Sequence, residues 1–428
     1  MSRRFLWVSG GVALILGCTA VAYFMFPTWI GISGTPPKAF SFEELTGSLF
    51  LTVPKEPFRA PQVRELVMPA FVNATSIWGA TGRDTRGHIW VGVSASSAGK
   101  SAHLFEYDPD ADTWYDRGAV IDQLKAVSLY SEGQGQIKIH SKIIPGGDGW
   151  LYFASTDEEG ERSDTDTLPR WGAHLWRIHP ELHTWQHLVA VREGLVAVSG
   201  VGQYIYGLGY WDHVLYQYNT ASARAKRVVV GSAGGHVSRN FLADAHGHAY
   251  VPRLRAQPNG TVSVALVEYD ESLKEIGSTP LEFYLSKGSP DSNHGIVGLA
   301  YLPDGRMVFT THVGYLYMIE PRDKTSAVVT AVGWFHPDGE AYAPSLFSFG
   351  GTNWIAGVAR RDKGFEWVVC DLNARLAVTF PIDTKGLKEV LLYGSISRDN
   401  AGRVYLVGWA EGERGNQRPL MLQLRSGE

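Results

Sequence analysis

Only two cysteines, Cys18 and Cys370, occur in 428 residues. That is too few for a disulfide framework, and the count excludes a zinc site of the Cys-x-x-Cys kind. An excess of charge is also missing. The 39 Lys and Arg nearly balance the 43 Asp and Glu, leaving −4. No basic stripe interleaved with aromatics appears, so a nucleic-acid partner is not expected. There is no Gly-x-Ser-x-Gly turn to present a nucleophile. The Gly133-Gln134-Gly135 pair is not followed by a helical pattern, so a phosphate-cradling reading fails on context. No amphipathic helix is expected to interrupt the body of the chain.

What is present begins with one long apolar run. Arg3 and Arg4 precede residues 5–26, which carry no charge. At ~1.5 Å per residue this stretch spans roughly 33 Å, enough for a bilayer core. Pro27 ends the run, and Trp29 suits the interface. Ile15-Leu16-Gly17-Cys18 loosely resembles a lipoprotein cleavage box, and a cleaved secretory signal is the other rival. The apolar run continues well past Cys18, which favours an uncleaved signal-anchor over residues 1–33. The two arginines then stay in the cytoplasm and the body lies outside, which in a bacterium is the periplasmic side of the inner membrane. Prolines 36, 37, 54, 57 and 61 mark residues 34–61 as an extended linker, with 48–53 as a candidate strand.

From residue 62 onward the chain repeats. A glycine followed by an apolar, aromatic-rich strand occurs at seven places, centred on Trp90, Tyr152, Ile205, Tyr250, Val308, Trp354 and Tyr405. The spacing of about 52 residues fits four-stranded propeller blades with variable loops. A second, alternating segment follows each centre, as in Phe105-Glu106-Tyr107-Asp108 and Tyr216-Gln217-Tyr218-Asn219. Residues 137–180 read as one blade: Ile137-Lys138-Ile139-His140, a turn at Gly146-Gly147-Asp148-Gly149, the strand Trp150-Leu151-Tyr152-Phe153, an acidic loop, and His174-Leu175-Trp176-Arg177. The reading is an all-β, seven-bladed propeller over 62–428, with six blades as the rival because the third and sixth copies are weakest. The last blade lacks a fourth strand, which residues 62–68 or 48–53 can supply to clasp the ring.

On these motifs the chain resembles bacterial seven-bladed propellers of the kelch-like, gluconolactonase-like and streptogramin-lyase-like type. Within that range it is most similar to a poorly characterised group with a Lys-x-His inner strand, an Asp-Gly-x-x-Tyr-Phe second strand and a His-Leu-x-x-x-x-Pro third strand. Here these are Lys138 and His140, then Asp148-Gly149 with Tyr152-Phe153, then His174-Leu175 with Pro180. The resemblance covers roughly 75–428 and implies the fold. It supplies no catalytic set.

Candidate site residues come from counting back from each strand centre. His140 lies 12 before Tyr152, and His236 and His294 lie 14 before Tyr250 and Val308. Trp78, Tyr342 and Tyr393 lie 12 before their own centres. Even offsets share parity on a regular strand. The counting therefore gathers the three imidazoles, with Trp78, Tyr342, Tyr393 and Arg239, around one mouth of the central channel. Three imidazoles can hold a divalent metal or act as general base and acid, and the aromatic rim can stack on a sugar or a peptide. The loop 157–169 holds six carboxylates. Asp164-x-Asp166 lacks the rest of a calcium loop and reads as a solvated insertion. Trp114 and Trp185 read as packing between blades, and Cys370 as a buried apolar residue. Two functions follow. The first is a membrane-anchored binding module for a glycan or protein partner. The alternative is a lyase or hydrolase acting on a sugar or lactone at the histidine-lined mouth.

Overall fold

A computed structural model describes residues 59–425 apart from 70, 97–99, 234, 287–293, 362–363, 385 and 414. The proposed signal-anchor and nearly all of the linker lie outside the described residues. Among those described, no helix is long and apolar enough to cross a membrane.

Seven antiparallel sheets follow one another along the chain, so the ring has seven blades and not six. Blades 1 to 6 occupy 74–119, 138–191, 194–232, 242–280, 296–334 and 342–381, each running from an inner to an outer strand. Blade 7 takes Leu391–Gly394, Val404–Glu411 and Gln417–Arg425 from the C-terminal end. Its outer strand is Gln62–Glu65, paired in the register Gln62↔Arg425 to Glu65↔Leu422. The clasp thus comes from the first of the two segments offered by the sequence. It is fastened by the Leu66 amide donating to the Met421 carbonyl at 2.9 Å and by Arg418 against Glu65 at 2.5 Å.

The second strands are legible because blades stack face to face and bury both their sides. All seven residues of Ile89–Ala95 are buried, and so are all six of Leu151–Thr156. Outer strands such as Leu376–Pro381 bury one side at most and alternate. In five of the seven blades the glycine before the second strand belongs to an aspartate turn, at Asp84, Asp148, Asp244, Asp304 and Asp399. In blades 1, 4 and 7, Asp84, Asp244 and Asp399 each accept two backbone N–H groups, two and four residues ahead. The other carboxylate oxygen accepts from the strand aromatic: Trp90 at 3.2 Å, Tyr250 at 2.7 Å and Tyr405 at 2.6 Å. Gly87, Gly247 and Gly402 sit at φ +89, +84 and +77, where a side chain is strained.

Aromatic packing joins the blades. Trp185 of blade 2 donates to the Arg117 carbonyl of blade 1 at 2.8 Å. Trp114 packs on Tyr107 of its own blade with ring centroids 4.8 Å apart, and Tyr107 in turn meets Tyr405 of blade 7 at 6.0 Å. Cys370 is buried, and burial pushes its thiol up to about 11. One expectation fails. A short helix, Val120–Ala126, connects blades 1 and 2 and buries Val120, Ile121 and Leu124. Seven residues give barely two turns, too short for a periodic pattern to show.

Candidate functional site

The connections entering the inner strands and the hairpins between second and third strands meet on one face, around one mouth of the channel. Arg239 is the hub there. Its backbone is pinned between blades 4 and 5, with its amide donating to the His294 carbonyl at 2.9 Å and the Asn240 amide donating to Ile296 at 3.0 Å. Its guanidinium reaches His140 Nε2 at 3.5 Å and His294 Nε2 at 3.3 Å. It lies over the Tyr393 ring at 4.6 Å and within 5.8 Å of the Trp78 ring centroid. Trp78 and Tyr393 pack at 4.7 Å, and Trp78 is nearly parallel to His140. Tyr342 touches both His294 and His312. Six of the seven sequence-derived residues thus share one half-buried surface.

His236 does not join them. It is 2% exposed, and its Nε2 meets the Tyr284 hydroxyl at 3.1 Å, with His213 packed alongside. The parity count fails for a structural reason. Lys138–Ile139 ends before His140, while His236 and His294 lie ahead of Leu242–Ala243 and Ile296–Tyr301. The imidazoles therefore sit on connections, not on regular inner strands. His140 and His294 meet because both connections descend on the same mouth.

The tautomers follow from the partners. His140 Nδ1–H donates to the Val196 carbonyl at 2.9 Å, so its Nε2 lone pair faces Arg239. The His294 amide donates to His312 Nδ1 at 3.1 Å. Burial, reinforced by the nearby guanidinium, holds all three imidazoles neutral. His140 lies well below its usual range, His294 is pushed down to about 2 and His312 to about 4. An imidazole with so little proton affinity is a poor general base at neutral pH.

These imidazoles do not form a metal centre. A guanidinium occupies the space between His140 and His294, and their ligand atoms do not converge with His236 on one point. Among the described residues the one His and carboxylate group at metal-binding spacing is Asp84, His88 and Glu106, on the opposite face. That group is an aspartate turn already neutralised by arginine. Arg86 pairs with Asp84 at 2.6 Å and with Glu106 at 2.7 Å, and Arg117 takes the other Glu106 oxygen at 2.7 Å. Blade 4 repeats the arrangement, with His248 against Glu268 at 2.9 Å. The arrangement is structural.

Counting missed two lysines. Lys138 lies over the Trp78 ring at 4.6 Å and pairs with Glu158 at 2.5 Å. Lys142 is buried beneath the rim, and its one hydrogen bond goes to the Gly79 carbonyl at 2.9 Å. Burial, with Arg239 adding to it, lowers its ammonium to about 7. Lys142 also borders a channel cavity of about 50 Å³ walled by Ile144, Val198, Leu299, Tyr301 and Ile396. In the acidic loop, Arg162 grips Asp164 through both carboxylate oxygens, at 3.1 and 2.7 Å, which occupies the candidate calcium ligand. Glu161 accepts from the Tyr210 hydroxyl at 2.5 Å and is raised to about 7 by burial.

By sequence, the chain matches no protein-family model and no curated protein. By structure it is similar to a protein of unknown function from Dyadobacter fermentans, with a TM-score of 0.51 at 12% identity over 85% of this chain and 99% of that one. It is also similar to a periplasmic gluconolactonase from Pseudomonas aeruginosa, with a TM-score of 0.43 at 13% identity over 83% of this chain and 99% of that one. At such identities the likeness extends to the propeller fold alone.

Proposed function

We propose that this protein is a binding propeller that takes a small carboxylate-bearing ligand, a sugar acid in chemical class, at the mouth around Arg239. One observation carries the reading. Arg239 is a half-buried cation whose partners among the described residues are two neutral imidazoles and two aromatic rings, with no carboxylate. A guanidinium in such surroundings gains most from a planar anion that it can meet with paired N–H groups. The Trp78, Tyr342 and Tyr393 rings supply flat walls, and neutral imidazoles can both accept from and donate to hydroxyls. The apolar segment 5–26, behind Arg3 and Arg4, supports placing this mouth outside a membrane, with the chain anchored by a single span.

The other reading is a lyase or hydrolase of a sugar or lactone. It requires an imidazole that accepts a proton near neutral pH, and the depressed His140 and His294 weigh against it. The test is calorimetric titration of the purified chain with hexuronic and aldonic acids and with their neutral parent sugars. Acids should bind and neutral sugars should not. Arg239→Gln should weaken binding by roughly 30- to 100-fold, the usual worth of a partly desolvated charged pair. Equal binding of acid and neutral sugar sinks the reading. Turnover of a lactone or of a uronate polymer that is lost in His140→Gln moves the conclusion to the enzyme.

A further inference from the structure

Outward from the mouth on the same face, three aromatic rings stand in contact and open to solvent. Phe283 lies 4.7 Å from Tyr315 and 5.2 Å from Trp334, and Tyr315 lies 5.0 Å from Trp334, all measured between ring centroids. Phe283 is 51% exposed and Trp334 36%. Phe283 also sits at φ +49, in the left-handed region. A non-glycine residue held there while showing its ring to water pays on two counts, and such combinations gather at binding sites.

The trio is wired to the mouth. Phe283 and His294 share the connection between blades 4 and 5, while His312 and Tyr315 share one blade 5 hairpin. The Thr311 hydroxyl, next to His312, donates to the Phe283 carbonyl at 2.6 Å, and the Tyr315 amide donates back to Thr311 Oγ1 at 3.2 Å. The register pairs Tyr315 with Trp334, so the rings lie over the third and outer strands of blade 5. Strands are spaced by ~4.8 Å, which puts the rings roughly 5–10 Å outward of His312. That gap is one or two sugar units.

We infer that the mouth and the ring trio are two subsites for a single acidic oligosaccharide, with a uronate carboxylate on Arg239 and a later sugar ring stacked on Phe283, Tyr315 and Trp334. This inference rests on the sugar-acid reading of the mouth. Three separate features select a glycan. The rings present flat faces, the groups between are neutral imidazoles suited to hydroxyls, and Arg239 at the mouth is a cation with no carboxylate partner among the described residues.

The experiment titrates the full-length chain with uronate oligomers of one, three and six units, from galacturonate, mannuronate, guluronate and glucuronate-containing series. For at least one series the hexamer should bind tenfold or more tightly than the monomer. Trp334→Ala, on a regular outer strand, and Phe283→Ala should each bring the hexamer down toward the monomer while leaving monomer affinity and melting temperature unchanged. Arg239→Gln should lose both. Equal affinity for monomer and hexamer in every series, or a hexamer gain that survives both ring substitutions, overturns the second subsite and leaves the mouth standing, with the trio then a protein contact. Monomer binding that is absent, or indifferent to Arg239→Gln, overturns the mouth itself.

Discussion

Replacing Lys142 by methionine should stabilise the protein, and more so in mild acid than in mild base. Lys142 is 6% exposed, has a single hydrogen bond, to the Gly79 carbonyl, and makes no ion pair among the described residues. Its ammonium falls from 10.5 in the unfolded chain to about 7 in the folded one. Between those values the unfolded state binds more protons, so stability rises with pH from about 7 to about 10 and is flat below. Near pH 6 the folded protein carries the full cost of an ammonium out of water, on the order of 5 kcal/mol for a depression of this size. Near pH 9 the cost is that of deprotonating the amine, roughly 2 kcal/mol. Methionine has similar length and no charge. Its lost hydrogen bond, about 1 kcal/mol, and any misfit of up to ~1.5 kcal/mol are the same at both pH values. The stabilisation near pH 6 should therefore exceed that near pH 9 by roughly 3 kcal/mol. Urea unfolding followed by tryptophan fluorescence measures both. An equal effect at the two pH values would refute the reasoning, because it would mean that the ammonium sits in a compensated environment.

Two further outcomes follow from the same geometry. Leu66→Ala at the clasp, where the side chain is 4% exposed, should cost ~2–4 kcal/mol by urea unfolding; a loss under ~0.5 kcal/mol, as at a surface position, would show that the clasp does not hold the ring. Affinity for a strongly acidic sugar sulfonate should tighten as pH falls from 6.5 toward 4, since an anion on Arg239 relieves the guanidinium's pressure on His294 and His312 and lets them take up protons. Titration calorimetry at the two ends of that window checks this, and affinity that is flat or weaker at the acid end removes the anion from the neighbourhood of those imidazoles.

Chain periodicity exposed the strands that are buried on both sides and little else of the site. Leu151–Thr156 and Ile89–Ala95 show themselves because stacked blades demand apolar residues at every position. Each is announced by an aspartate turn whose glycine must take positive φ. The clasp could be anticipated because Gln417–Arg425 would otherwise be an open edge. The site was legible only in part. Counting along a strand assumes a regular strand, and the inner strands are the irregular ones: blade 2's is split into Lys138–Ile139 and Ile144–Pro145. His236 was consequently assigned to a mouth it does not face. Lys142 draws no notice because a lone lysine in the break between two short strands looks like any solvated one until its surroundings are known. The same holds for Phe283, whose exposure and backbone angle leave no trace in composition.

The arrangement of charge is why we propose binding over catalysis on this scaffold. Acidic residues elsewhere in the ring are consumed by structure: Asp84 and Asp399 cap turns and hold arginines, and Glu106 binds Arg86 and Arg117. Along the channel the cations Arg239 and Lys142 are left without carboxylates among the described residues. Buried charges of one sign cost free energy unless an opposite charge joins them. A closed ring can bear that cost because its stability comes from seven stacked interfaces remote from the axis. On the proposed reading the cost would be recovered when an anion arrives, so the same surroundings that depress His294 and Lys142 would contribute to affinity. Proton transfer would need an imidazole with its ordinary proton affinity in the ligand-free state; burial chiefly removes it here, and the Arg239 guanidinium adds to that. Arg239→Gln should accordingly raise the proton affinity of His294 part of the way, with burial still holding it down, while weakening anion binding by roughly 30- to 100-fold, a pair of opposite changes that proton NMR titration of the imidazole and calorimetry can read on one variant.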